Sequence, residues 1–312
     1  TKDTLVTIQE AHPFVGKLLS IKKLNKFKGT GLEGLAEWVT LAHKVHSYFQ
    51  VHGAETGRSS SSKPNLQNTD PKVRACFISR FDGGRLVYTD LASLEYRLIA
   101  HATADPKLLR IFINGEDIHE NAYHDVYNLW PPDKTERKKG KTLNFGGVYG
   151  CGYIRFLEIS GLEDTPASRA LYNKMQNLYP GVTRWKENMI RQLRKTGKIR
   201  NLFGRVREFE FPITNDDERE AFNWIIQSSG HDILKIYLME VFDIVALNCP
   251  QSVLVSEVHD SMTFDCPADE YETVMQIMTD IGGNLNPLIA AMFGVTMRVP
   301  MFAEMEVLER WA

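Results

Sequence analysis

Arg85-Leu-Val-Tyr-Thr-Asp90-Leu-Ala-Ser-Leu-Glu95-Tyr-Arg97 changes its pattern part way along. Up to Asp90 it follows the turn Asp82-Gly83-Gly84 and reads as a short strand that ends in a carboxylate. From Ser93 to His101 the apolar spacing becomes that of a helix. A second acid has a similar setting, since Val253–Val258 and Met262–Asp265 read as two short strands flanking His259-Asp260. Strand ends hold a carboxylate rigidly, which suits a divalent ion, and magnesium takes one or two carboxylates together with waters and substrate phosphates. Two such ions about 4 Å apart serve to activate a hydroxyl and stabilise a leaving pyrophosphate. Asp is also an ordinary turn residue, and nothing in the spacing alone pairs Asp90 with Asp260.

The bulk numbers around that stretch permit more than they decide. The chain has 312 residues, 43% of them hydrophobic, enough for one large core or two smaller ones. A net charge of -2 neither announces nor excludes a nucleic-acid partner, because the placement of positive charge matters and catalytic acids lower the total. Cys76, Cys151, Cys249 and Cys266 have neither zinc-like spacing nor a secreted protein's density, so free thiols are expected. No run of 18 apolar residues suggests a membrane span. No leader is legible, and the chain begins at Thr1.

The first 50 residues read as helical, with Leu32, Leu35, Val39 and Leu41 near one face that Val45, Tyr48 and Phe49 extend. Gly53 to Thr69, with Arg58, four serines and Lys63-Pro64-Asn65, reads as a loop. Pro131-Pro132-Asp133 signals a helix start before Glu136-Arg137-Lys138-Lys139. Gly146, Gly147, Gly150 and Gly152 either weaken that helix or let something pack very close to it. Residues 171–195 read as one charged amphipathic helix, 198–211 as a hairpin around Asn201-Leu-Phe-Gly204, and 217–247 as a long helix. A helix near 268–292 and a strand near 298–307 complete the reading.

Arg137, Lys141, Phe145 and Tyr149 recur every fourth residue and so share roughly one helix face. Two cations followed by two aromatics suit a nucleoside triphosphate laid along the helix, phosphates on Arg137 and Lys141 and the base end on Phe145. The same spacing also describes a solvated charge run that enters a packed core.

Four segments in order carry a resemblance to the family A DNA polymerases, the group that includes bacterial DNA polymerase I and its phage and organellar relatives. Thr56-Gly-Arg58-Ser-Ser-Ser-Ser-Lys-Pro64-Asn-Leu-Gln67-Asn68 resembles the TGR-x-SS-x-x-PNLQN stretch. Asp90-Leu-Ala-Ser-Leu-Glu95-Tyr-Arg97 resembles motif A. Arg137-Lys-Lys-Gly-Lys141-Thr-Leu-Asn-Phe145-Gly-Gly-Val-Tyr149-Gly150 resembles motif B, and Val258-His259-Asp260-Ser261 resembles motif C. The resemblance implies an α+β right-hand polymerase fold, with an antiparallel palm sheet, helical fingers and the thumb largely absent. It implies a thumb-to-palm return with the first palm helices over 1–50, palm with motif A over 51–115, fingers with motif B over 116–212, and palm with motif C over 213–312.

The implied activity is DNA-directed DNA synthesis from dNTPs with two magnesium ions, manganese being a substitute, on primer-template DNA. By resemblance Asp90 and Asp260 bind the metals, and Lys141 joins them in catalysis. Arg137, Lys141 and His119 hold the triphosphate, Phe145 lies beside the incoming sugar and base, and Tyr149 lies near the templating position. Glu95 is the gate against a 2′-hydroxyl. Arg58, Asn65, Arg97, Gln227 and His259 are expected at the DNA, where minor-groove acceptors report pairing without sequence. Ser261 replaces the usual glutamate of motif C, Ala92 the usual serine of motif A, and Ser93 stands where glutamine is common. The segment Pro13 to Gly34 resembles only the return from a thumb, so the remaining thumb, any exonuclease and any processivity factor are expected from a longer chain or a separate polypeptide. The expected location is the cytoplasm, a host cell's for a phage protein, or an organelle. The competing reading is a non-catalytic DNA-binding or replication-scaffold subunit of the same fold, against which the retained acids and cations argue.

Overall fold

The computed structural model describes residues 12–311, apart from the side chains of Pro13 and Thr30. Residues 1–11 of the expected return segment lie outside the described residues. Two compact units arise. The first holds the described residues up to Asp90, with Phe242–Met278 and Met305 onward; the second holds Leu91–Val241 and Thr279–Glu304. The fold is α+β, with one four-stranded sheet, two two-stranded antiparallel sheets and numerous helices among the described residues.

The first unit begins with α1, Pro13–Lys26, which His12 caps by accepting the Phe14 N–H at 3.1 Å. A π-helical stretch Phe27–Glu33 continues it into a short turn of helix at Gly34–Ala36. The expected helix does not extend to residue 50. Val39 pairs with Val45 in an isolated bridge, and β1, Tyr48–Gln50, pairs antiparallel with β2, Ser60–Ser62. The serine tract read as loop therefore supplies a strand. Ser61 makes it worthwhile, because its hydroxyl contacts Ser47 Oγ at 2.6 Å and accepts the Leu66 N–H at 2.9 Å.

The main sheet has the order β6-β7-β3-β8, where β3 is Arg85–Leu91, β6 Val253–Val258, β7 Ser261–Cys266 and β8 Ala303–Leu308. Central position explains why β3 and β7 read as nearly continuous runs instead of alternating ones. Even Asp265 of β7 is buried, and its carboxylate accepts from Ser79 Oγ at 2.6 Å and from Arg80 Nε at 2.7 Å. Leu66, Leu86, Val258 and Trp311 form a core cluster, with Phe77 packed edge-on to Trp311.

The second unit is mostly helical, and aspartates cap three of its helix starts. Ser93, in the left-handed region at φ 49°, precedes α2, Leu94–Thr103. Asp105 then caps α3, Pro106–Ile113, by accepting from Lys107 and Leu108 N–H. Asp117 caps α4, Ile118–Tyr127, and Asp133 caps α5, Lys134–Tyr149. After α6, Tyr153–Ser160, the helix expected over 171–195 is two helices, α7 Pro166–Gln176 and α8 Pro180–Thr196. Pro180 lacks the N–H a continuous helix needs, so it opens α8 instead. The expected hairpin follows as β4, Lys198–Arg200, with β5, Val206–Glu208. The long helix α9 spans Asn215–Asn248. The helix expected over 268–292 is likewise two, α10 Tyr271–Gly282 and α11 Asn286–Phe293, with Gly282-Gly283 ending one and Pro287 starting the next.

Candidate functional site

In the first unit, register brings the two strand-end acids close in the sheet. Asp90, exposed at the end of β3, has Ser261 as its Cα partner on β7, and Asp260 is the residue before Ser261. Opposed Cα atoms in an antiparallel pair lie about 4.5–5.5 Å apart, so strand pairing places the acids as neighbours despite their sequence separation. Burial pushes the Tyr88 phenol above its ordinary value, a hydrogen bond with Ser261 draws it down, and the Asp90 carboxylate pushes it up again. Asp90 therefore shares the sheet face of Tyr88, two residues before it.

Asp260 lies in a two-residue turn between β6 and β7, where His259 has φ 56°. Arg58 Nη2 approaches Asp260 Oδ1 at 3.3 Å, so this carboxylate already attracts a cation. Ser261 donates its hydroxyl to the Val258 carbonyl at 2.8 Å. Its side chain thereby closes the turn where a glutamate would project a third carboxylate. Among the described residues no group of three or more His, Cys, Asp or Glu forms a closed metal cage. Two neighbouring carboxylates are nonetheless the donor set that magnesium takes when waters and phosphates complete its octahedron, and Asp90 and Asp260 fit that ion.

Around the same turn, Ser59 Oγ donates to Glu257 Oε2 at 3.0 Å, and Gln67 Nε2 donates to the Glu257 carbonyl at 3.1 Å. Glu257 thus ties the Arg58 segment to β6, a role the sequence reading missed. Asn65 is exposed and accepts the Asn68 N–H at 3.2 Å, and His259 is exposed.

The second unit carries the cationic face. Arg137 donates from Nε and Nη2 to Asp117 Oδ2 at 2.9 and 2.6 Å. Burial alone would raise the Asp117 carboxyl, but hydrogen bonds from Glu120 N–H, Arg137 and His119 N–H hold it below its ordinary value. One acid therefore caps α4 and aims a cation of α5. Its signal was present in Asp117-Ile-His-Glu120, the spacing of a capping box.

His119 is buried, and burial first, then Arg137 and Lys141, lowers its pKa to about 4 against the opposing pull of Asp117. Asn144 fixes the ring. Its Oδ1 accepts from Tyr179 OH, while Nδ2 donates to the Ile118 carbonyl at 2.8 Å and lies 2.9 Å from His119 Nδ1. That network makes Nδ1 the acceptor and leaves Nε2 with the proton. Gly140 permits this closeness, because a Cβ there would lie 2.1 Å from the His119 carbonyl oxygen.

Lys141 is exposed on α5, and Phe145 is 57% exposed, so both remain accessible to a ligand. Phe145 and Tyr149 rings lie 4.6 Å apart, and Tyr149 OH donates to Glu95 Oε2 at 2.7 Å. The sequence offered Glu95 and Tyr149 separately; the fold joins them. Gln227 is half-buried on α9. Arg97 differs from expectation. It is 7% exposed, donates to the Ala92 and Pro300 carbonyls at 2.9 and 2.7 Å, and lies over the Phe112 and Phe302 rings. Those partners commit its guanidinium to the interior, and burial lowers its pKa to about 10. A direct DNA contact does not fit that geometry.

No helix among the described residues is long and apolar enough to cross a membrane. The family model for DNA polymerase family A matches residues 1–312. DNA polymerase I of Streptococcus pneumoniae strain R6 is 29% identical over 307 residues, covering 92% of this chain and 35% of that protein. Thermostable DNA polymerase I of Thermus aquaticus is 29% identical over 322 residues, covering 98% and 37%. The chain therefore spans little more than a third of the length of these curated relatives. Among solved structures, the polymerase domain of Pol1 from M. smegmatis, in complex with DNA primer-template and dNTP, is similar at a TM-score of 0.86 and 24% identity. That match covers 99% of this chain and 55% of the other, and it establishes the fold. With its whole length matched, the chain belongs to DNA polymerase family A.

Proposed function

We propose that this chain is a DNA-directed DNA polymerase, adding deoxynucleotides from dNTPs to a primer 3′-hydroxyl on a DNA template. The observation that carries the reading is the pairing of Asp90 with Ser261, which makes neighbours of a strand-end acid and of Asp260 in the adjoining turn. Asp90 and Asp260 hold the two magnesium ions, manganese being a substitute. When bound there, the ions increase the acidity of the attacking hydroxyl and offset charge on the leaving pyrophosphate.

The chain's own groups bind and orient. Arg137, aimed by Asp117, grips the triphosphate bidentately, and Lys141 stabilises the charge that builds on the departing phosphates. His119 donates to the triphosphate from Nε2. Phe145 lies against the sugar and base, Tyr149 lies near the templating position, and Glu95 leaves no room for a 2′-hydroxyl. Arg58, Asn65, Gln227 and His259 contact the primer-template. The first unit is thus read as palm and the second as bearing the fingers. A thumb and any exonuclease belong to a longer protein or to a second polypeptide.

Primer extension with magnesium tests this, using the full-length protein and any co-purifying polypeptide. Asp260→Asn is expected to lower extension by about a thousandfold, the loss of several kcal/mol of charge stabilisation. Primer-template affinity should change little. Extension at the parental rate would reject the metal role, and a DNA-binding parent that extends nothing would favour the scaffold reading.

A further inference from the structure

Helix α5 ends at Tyr149, and its last carbonyls have no partner within the helix. Lys186 of α8 supplies one, because its ammonium donates to the Val148 carbonyl. The same ammonium lies 4.3 Å from the centroid of the Phe222 ring on α9. Phe222 packs edge-on against Tyr149 at 5.4 Å, and Tyr149 in turn donates to Glu95 Oε2 at 2.7 Å. An unbroken series of contacts therefore joins Lys186 to the acid read as the sugar gate. All of it lies within the second unit.

We propose that Lys186 is a positioning residue for sugar selection, holding the last turn of α5 and the Phe222 ring so that Tyr149 keeps Glu95 in its gating position. The inference rests on the gate reading of Glu95 and deepens it. Three physical effects act together at one ammonium. It satisfies a helix-terminal carbonyl, it opposes the negative end of the α5 dipole, and it meets the face of an aromatic ring. A cleft of about 360 Å³ opens beside it, lined by Tyr149, Lys186, Met189, Asn215 and Phe222 among others. Space there would let Tyr149 move if the clamp were released.

Burial brings the Lys186 pKa down to about 8, so its charge is removable under mild conditions. The ionisable groups facing the cleft from the packed helices are Tyr149 on α5 and Glu218 and Arg219 on α9. Glu218 accepts from Arg194 at 2.5 Å, and Arg219 is paired with Asp216. The neutral amine keeps a hydrogen but loses both the dipole and the ring attraction, so the clamp weakens without vanishing.

The test measures incorporation of dCTP against CTP opposite guanine by the full-length protein in single turnovers, at pH 7 and pH 9. Lys186→Met is expected to lower the dCTP preference about tenfold at pH 7, by loss of charge–dipole and ring attraction. Lys186→Arg should restore most of it. Parental preference should fall from pH 7 to pH 9 by a few-fold, whereas Lys186→Arg, which stays charged, should hold its preference at both. Primer-template affinity should be unchanged in every variant. Glu95→Ala is the control for the underlying reading. If it loses selectivity while Lys186→Met keeps the parental value, the positioning role is wrong and the gate stands. If Glu95→Ala keeps full selectivity, both fall. Should Lys186→Met fail to fold, the pH arm decides, and a parental preference equal at both pH values overturns the proposal.

Discussion

Single residues carry the chemistry, and His259 illustrates how much of it local geometry fixes. The turn between β6 and β7 has positive φ at its first residue, His259, and not at Asp260. Glycine is favoured at that first place, and a non-glycine there costs about 1–2 kcal/mol. Holding histidine in that conformation is understandable if the imidazole meets DNA. His259→Gly should relieve the strain but lose about 0.5–1 kcal/mol to glycine's greater unfolded-state freedom. The net expectation is a gain of about 0.5 kcal/mol in stability, with weaker primer-template binding. Urea midpoints and a binding titration check both, and a variant that loses stability would reject the strain account. Asp90 and Asp260 were legible as strand-end acids and were paired by the family resemblance, whereas their spacing did not pair them and the physical reason is strand register. Arg97 shows the reverse case. Its motif position suggested DNA, while the carbonyls of Ala92 and Pro300 could be found only in the folded chain.

Elements decide where these residues meet, and the packing of α4 on α5 is the most exacting contact. Gly140 and Gly146 look alike in the sequence, though the reading that something packs close to α5 covers Gly146 and not Gly140. Their neighbours differ in kind. A Cβ at Gly140 would lie 2.1 Å from backbone oxygen, whereas at Gly146 it would meet the Met175 sulfur at 2.8 Å, an atom of a flexible side chain. Gly140→Ala should therefore cost about 2 kcal/mol, overpacking outweighing alanine's gain of about 1 kcal/mol in helix propensity. It should also raise the KM for dNTP, since His119 and Arg137 are set by this contact. Gly146→Ala should cost less on both counts; equal costs would show that the backbone clash is not the cause. The Pro131-Pro132-Asp133 signal made the start of α5 readable, whereas Asp105 and Asp117, which cap α3 and α4 in the same way, do not figure as caps in the sequence reading. The helical reading of residues 37–50 fails because it counts Val39, Val45 and Tyr48 toward one helix face, whereas Val39 bridges to Val45 across a turn and Tyr48 pairs with Ser62, outside that window. Periodicity cannot weigh a partner it does not contain.

For the whole molecule, buried ionisable groups set how stability answers to pH, a property that net charge does not reveal. At -2 the chain is nearly neutral, yet His119 is held neutral in the second unit with a pKa near 4, against an ordinary value of 6.5. The unfolded chain takes up a proton on this side chain as pH falls through 6.5, while the folded chain resists until about 4. Linkage then requires stability to fall across that window, because the unfolded state binds more protons. Protonation would also place an N–H of His119 against the Asn144 amide, opposing the network that orients the ring. His119→Gln removes the titration while retaining a polar side chain. Its stability deficit relative to the parent should be largest near pH 7.5 and shrink as the pH falls from 6.5 towards 4. Urea denaturation at half-unit pH steps gives this difference directly, with other titrating groups common to both proteins largely cancelling. A deficit independent of pH would mean that His119 titrates alike in the folded and unfolded chains, and would remove burial as the force that keeps its ring neutral.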